Sequence, residues 1–168
     1  MKIIAYLLVI LSALFVGAEL NKLQKERLCL TADLVRMTGY MHTELSARPC
    51  SMNELCRKAA IISNGGISSF FDSVSEEMTK LYEKSFREIW SDCCADKLKL
   101  LDGDTFAMFL GLGEKLGNFE LNSQLLAINE CSIALKQKHQ ELKEKYANDR
   151  KLNIVVPCSV ACMILIMI

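Results

Sequence analysis

Two stretches without a single charge flank everything else in this chain: Ile3–Ala18 (IIAYLLVILSALFVGA) and Ile154–Ile168 (IVVPCSVACMILIMI). As a helix the first spans ~27 Å, just long enough for a bilayer core. It also has the layout of a secretory signal, with Lys2, an apolar centre, and the small residues Val16 and Ala18 before Glu19. The second run favours the membrane reading, because it suggests a chain fixed to the bilayer at both ends. It is shorter, ~22 Å as a helix, and Pro157 near its start is tolerable in a membrane span. Lys22, Lys25 and Arg27 follow the first run, while Lys143, Lys145, Arg150 and Lys151 precede the second. The positive-inside rule then places the middle in the cytoplasm. The expected organisation is an N-terminal transmembrane helix over 1–20, a cytoplasmic helical bundle over 21–152 and a C-terminal transmembrane helix over 153–168.

The intervening region reads as all-α. Only two prolines occur, and strand-like alternation is scarce. Leu30, Leu34, Met37, Met41 and Leu45 fall on one helical stripe after Leu23, so the first helix is expected to continue to about Leu45. Pro49 ends it, since the residue before proline is pushed out of the helical region. Ser51-Met-Asn-Glu54 has the capping-box pattern and opens a helix to about Ser63, closed by Asn64-Gly65-Gly66. A third helix is expected from Ser68 or Ser69 to about Tyr82, carrying Phe70, Phe71, Val74, Met78 and Leu81. A fourth holds Phe86, Ile89 and Trp90 and runs to about Leu101. Asp102-Gly103-Asp104 then turns into a fifth. The last is the longest: Leu121, Leu125, Ile128, Ser132, Leu135, His139, Leu142 and Tyr146 step by threes and fours, the spacing of a coiled coil. The fold expected is an antiparallel bundle of about six helices, the first and last continuing into the membrane segments.

The fifth helix poses a problem. Met108–Gln124 (MFLGLGEKLGNFELNSQ) places Gly111, Gly113 and Gly117 beside its best core residues, and each glycine inside a helix costs roughly 1 kcal/mol against alanine. Gly113 and Gly117 recur with Phe106, Phe109, Leu110 and Leu116 on the apolar face. A glycine there lets a neighbouring helix come closer than any side chain permits. Gly117 also suits a left-handed C-cap, with Asn118 capping the next helix. Close packing and a tight helical hairpin are the expected reasons, and Gly113, Leu116, Gly117 and Gln124 are the helix-packing and turn residues singled out.

Chemistry is hard to find. The chain is 51% hydrophobic and 24% charged, too oily for disorder. Its twenty basic residues balance twenty acidic ones, so no bulk field draws in nucleic acid. The run GLGEKLG is one residue too long for a dinucleotide fingerprint and follows no strand. His42 and His139 are the only histidines and stand far apart in sequence, so a metal site or general acid–base pair lacks parts. His139 is expected to pack with a hydrogen bond and His42 to hydrogen-bond at a helix end. Cys158 and Cys162 lie in the tail. Cys29, Cys50, Cys56, Cys93, Cys94 and Cys131 form no C-x-x-C pair and read as small buried hydrophobes in a reducing compartment. The expectation is no enzyme, no cofactor and no metal. The rival is an exported, membrane-anchored helical protein with a cleaved signal and the six central cysteines oxidised.

The pattern resembles the stage III sporulation protein AB family of endospore-forming bacteria. The resemblance is carried by LQKERLCLTADL, MHTEL before the proline turn, Phe70-Phe71, Trp90, and LGLGEKLGNFELNSQ with Leu116-Gly117 followed seven residues later by Gln124. Two departures stand out: NDRKLNIVVPCSVACMI lacks the family's Leu-Gly and further glycine near the second membrane segment, and RPCSM replaces its threonine and leucine around the proline. The first puts small-residue packing in the membrane in doubt. The resemblance implies a likeness to the cytoplasmic domain of the F-type platform protein of type II secretion. It also implies a non-enzymatic part in the mother cell–forespore channel complex, in the outer forespore membrane. The implied partners are a cytoplasmic secretion-type ATPase and other membrane proteins of that complex. Exposed charges such as Lys138, Glu141, Lys145 and Arg150 are candidate contacts for the ATPase.

Overall fold

The computed structural model describes residues 2–80, 84–117 and 120–167, with side chains only in part near the two ends. Among them are six helices and no strand: α1 (Lys2–Ala47), α2 (Met52–Ile62), α3 (Gly65–Thr79), α4 (Phe86–Lys97), α5 (Gly103–Leu116) and α6 (Leu121–Met167). The chain divides into two units. One is Cys29–His139, which holds α2 to α5 with the inner parts of α1 and α6; the other comprises residues 1–28 and 140–168. Among the described residues no helix is long and apolar enough to cross a membrane. Most side chains of Ile3–Ala18 and Ile154–Ile168 lie outside the described residues, so the expected membrane segments have no support from the structure. The α6 helix passes through Pro157.

Helix starts follow local chemistry. Ser51 accepts from the Glu54 amide at 3.2 Å, capping α2. The reciprocal half of the expected box is not what Glu54 makes of its carboxylate, which pairs with Lys58 at 3.0 Å. The complete box stands one helix pair later. There the Ser85 hydroxyl accepts from the Glu88 amide, and the Glu88 carboxylate accepts from the Ser85 amide at 2.8 Å, opening α4. Asp102 caps α5 through the Thr105 amide at 3.3 Å. Each such cap satisfies an amide that the helix itself leaves unpaired.

Two boundaries differ from expectation. The third helix begins at Gly65 rather than near Ser68, because Gly65 takes φ +59°, a left-handed conformation open to glycine, and turns the chain at once. Ser68 does not cap; its hydroxyl donates to the Ala60 carbonyl at 2.9 Å and ties the first turn of α3 to α2. The fourth helix stops at Lys97, not Leu101. Leu98 leaves the helix at φ −111°, and the Leu101 amide donates to the Leu98 carbonyl at 3.1 Å, a turn that buries both leucines. The expected Leu81 and Tyr82 end of α3 lies outside the described residues.

The core is one cluster drawn from all six helices. Leu34, Met37, Met41 and Leu45 come from α1, Leu55, Cys56 and Ala59 from α2, and Phe70, Phe71 and Val74 from α3; Trp90, Phe109, Ile128 and Leu135 are among those from α4, α5 and α6. Leu23, at the outer end of the α1 stripe, is 36% exposed. Polar ties then fix which helix touches which. Lys58 of α2 donates to Glu44 of α1 at 2.7 Å, and Ser75 of α3 and Asn53 of α2 exchange bonds at 3.1 and 3.3 Å. Lys138 of α6 is held by Asp104 at 2.6 Å and lies 3.9 Å from Asp102, at the head of α5.

Candidate functional site

The glycine-bearing helix meets the single tryptophan. Trp90 of α4 is wholly buried and stacks edge-on to Phe70 at 4.9 Å, with Phe109 at 5.0 Å and Phe86 at 5.5 Å. Its indole Nε1 donates to the Phe109 carbonyl at 3.0 Å, so the ring has one position along α5. Gly113, one turn further, lies under that ring. A Cβ there would collide with Trp90 Cγ and Cδ1 and stand 2.8 Å from Nε1. The indole occupies the space that any side chain at 113 would need, the physical reason for glycine on the apolar face.

The other singled-out residues gather at the C-terminal end of α5. Leu116 is 2% exposed. Gln124 Nε2, in the first turn of α6, reaches back to the Leu116 carbonyl at 3.2 Å, one of the last carbonyls that α5 cannot satisfy internally. This bond joins the two helices across the hairpin and accounts for the spacing between Leu116-Gly117 and Gln124. Gly117 departs from both expectations. It is exposed, not on the buried face, and it caps α5 at φ −66° and ψ −11°, right-handed. The turn is made without a left-handed residue there, so the geometry at 117 does not demand glycine. Asn118, the expected next cap, lies outside the described residues. Gly111 differs again: a Cβ on it would meet nothing within 4 Å.

Sequence reasoning missed two features of this region. The Ser85 box has the same Ser-x-x-Glu signature as Ser51, and that signal was available. The Trp90–Gly113 contact had no local signal, because the two residues come together only when α4 packs on α5.

The remaining reactive groups are muted. Cys56, Cys93, Cys94 and Cys131 are buried free thiols, Cys50 is half-buried and Cys29 exposed. Burial pushes Cys56 and Cys131 up to about 12 and Cys93 to about 11; Cys94 is raised further still by its apolar surroundings, and Cys50 is raised too. None of these five is a ready thiolate near neutrality. Among the described residues no group of histidine, cysteine, aspartate and glutamate is placed to hold a metal ion. His139 is half-buried on α6, and its Nδ1 is buried with no hydrogen-bond partner, contrary to the hydrogen-bonded role expected for it.

Surface clefts open on the bundle among the described residues. One of about 340 Å³ lies between α3 and α4 beside Glu77, Lys84, Asp92 and Lys97. Its charges are largely spent on each other: Lys84 pairs with Asp92 at 2.7 Å, Lys97 with Asp96 at 2.9 Å, and Lys80 with Glu77. The second, about 310 Å³, lies between α5 and α6 over Ala107, Met108, Gly111, Ala127, Cys131 and Ala134.

No curated protein and no solved structure matches the chain. The helical bundle, the buried tryptophan over Gly113 and the Leu116–Gln124 hairpin bond all lie within residues 2–168, the segment matched by the family model for stage III sporulation protein AB, and the chain belongs to that family.

Proposed function

We propose that this sporulation protein is a non-enzymatic, membrane-anchored structural and docking component of the mother cell–forespore channel complex needed for endospore formation. The observation that carries the reading is the family match over residues 2–168. Anchoring is argued from the two charge-free terminal runs and the lysines and arginines that border them on the inner side. In this reading residues 21–152 lie in the mother-cell cytoplasm, where a secretion-type ATPase and other membrane proteins of the complex are the partners. Lys138 is withdrawn from the candidate docking charges, since its ammonium is taken up by Asp104 and Asp102 and its side chain is only 17% exposed. Glu141 and Lys145 are exposed and remain candidates, while the Arg150 side chain lies outside the described residues.

The test has two arms. Cells carrying a tagged chain are treated with a membrane-impermeant maleimide, before and after permeabilisation, and labelling of the exposed Cys29 is followed. Cys29 is expected to react only after permeabilisation; reaction in intact cells, or loss of residues 1–18 from the mature chain, overturns the anchored cytoplasmic arrangement. The tagged chain is then purified from sporulating cells with Glu141 and Lys145 intact or charge-reversed. Recovery of the ATPase with the intact chain and its loss on charge reversal are expected. No ATPase with either chain overturns the docking role.

A further inference from the structure

The corner between α2 and α3 turns on one residue. Ser63 closes α2, Asn64 follows, and Gly65 already belongs to α3. Both flanks are fixed in the interior: Ser63 is buried, its hydroxyl donating to the Ala59 carbonyl at 2.7 Å, and Ile67 is wholly buried. Asn64 itself is exposed. It stands at the cap position of α3 in extended backbone, φ −129° and ψ 159°, yet its side chain makes no capping hydrogen bond. The usual work of an asparagine at that position is therefore not done. Asn64-Gly65 is also the only Asn-Gly pair in the chain. The Gly65 amide opens a helix, where an N–H has no intrahelical acceptor. Gly65 brings no side chain, and even a Cβ on it would meet nothing within 4 Å. Other asparagines are held differently. The Asn53 carboxamide exchanges bonds with Ser75. Asn129 and Asn148 are exposed but lie inside α6, where the following amide is tied to the carbonyl of the preceding turn.

We propose that Asn64 is a site of spontaneous deamidation, through a cyclic imide formed with the Gly65 amide. Asparagine is among the chemically labile residues, and here its carboxamide and the nitrogen that attacks it are both unengaged. The Gly65 nitrogen gives its proton to water and its electron pair attacks the Asn64 side-chain carbonyl carbon. The new C–N bond closes the imide; the bond to Nδ2 breaks, and that nitrogen leaves as ammonia with a proton from water. Water then adds to one of the imide carbonyls. Opening on the side-chain side leaves an aspartate at position 64. Opening on the main-chain side leaves an isoaspartate, whose peptide link runs through the side chain and is longer by a methylene. The two products act differently on the fold. The aspartate keeps the length of the corner and puts a negative charge at the start of α3, where the helix dipole favours it. The isoaspartate lengthens a link whose flanks, Ser63 and Ile67, are fixed by burial. The first turn of α3 has little to spare: the Ser68 amide reaches the Asn64 carbonyl only at 3.5 Å. Loss of that turn loosens the Ser68–Ala60 tie and the seating of Phe70 and Phe71 behind it.

The test is timed incubation of the purified full chain at mildly alkaline pH, followed by proteolysis and mass spectrometry, with isoaspartyl methyltransferase marking the isoaspartate. Asn64 is expected to convert several-fold faster than Asn129 and Asn148. Asn64→Gln, whose longer side chain closes the ring poorly, is expected to abolish conversion at this position. Conversion at Asn64 no faster than at Asn129 overturns the site. Conversion seen only after unfolding in urea overturns it too, because the folded corner then protects the pair. The structural consequence is read on its own. Aged chains carrying the isoaspartate are expected to unfold at lower urea than the parent, while Asn64→Asp unfolds with the parent or later. An isoaspartyl chain as stable as the parent overturns the part assigned to the length of the corner.

Discussion

Gly113→Ala is the substitution for which helix propensity and tertiary packing make opposite predictions. Propensity alone expects a gain of roughly 1 kcal/mol. Against it, the new methyl falls within the Trp90 indole, 2.8 Å from Nε1 and closer still to Cγ and Cδ1. The ring has little room to retreat, since Phe70, Phe109 and Phe86 lie with centroids at 4.9, 5.0 and 5.5 Å. Overpacking of this kind costs about 1–3 kcal/mol. Moving the ring also breaks the bond from Nε1 to the Phe109 carbonyl, leaving a buried donor unpaired at about 1–3 kcal/mol. With the propensity gain subtracted, the net is a destabilisation of about 3 kcal/mol, or a fall in Tm of roughly 10 °C for a bundle of this size. The assay is urea unfolding followed by circular dichroism and by fluorescence of the sole tryptophan, whose emission is expected to move to longer wavelength even before unfolding. Gly111→Ala is the matched control, two residues away in the same helix with open space at its Cβ; it is expected to stabilise the isolated chain by up to about 1 kcal/mol. If Gly113→Ala is as stable as the parent with unshifted emission, the steric account of this glycine is wrong.

Other outcomes follow from the same geometry. Ser85→Ala removes the hydroxyl half of the box that opens α4 while keeping the Ser85 amide that donates to Glu88, and is expected to cost about 1 kcal/mol by urea unfolding, whereas Ser69→Ala, on the exposed side of α3, changes little. Backbone and side-chain bonds from Ser85 hold Glu88 below its ordinary 4.5, and the Lys138 bond holds Asp104 below its ordinary 3.8. Groups with depressed pKa stabilise the fold above their unfolded values and lose that contribution as pH falls through the folded ones. Unfolding midpoints are therefore expected to drop below about pH 4.5, less so in Glu88→Gln; an unchanged pH dependence in that variant argues against the capping role. A thiol reagent applied to the native chain at neutral pH is expected to modify Cys29 ahead of Cys56 and Cys131, whose thiols burial pushes up to about 12; mass spectrometry after proteolysis checks the order, and early modification of Cys56 would contradict its burial.

What could be read from residues alone was whatever depends on neighbours three or four places away. The stripe Leu34, Met37, Met41, Leu45 and the stripe Ile128, Ser132, Leu135 are buried where their spacing placed them, and Ser51 and Asp102 cap the helices they precede. Those features are local, so a sequence determines them before the chain has folded. The packing of one helix on another decided the rest. Gly113 is required by an indole from a different helix, Gly117 needs no left-handed turn because Gln124 reaches the Leu116 carbonyl, and Lys138 is engaged by the head of α5 rather than open to a partner. Gly111 and Gly113 are identical as letters in the same helix, and only the tertiary structure separates one filled from within the fold from one left open toward the outside. The physical reason is that a glycine's meaning lies in what fills its missing side chain's volume, and that volume belongs to residues distant in sequence.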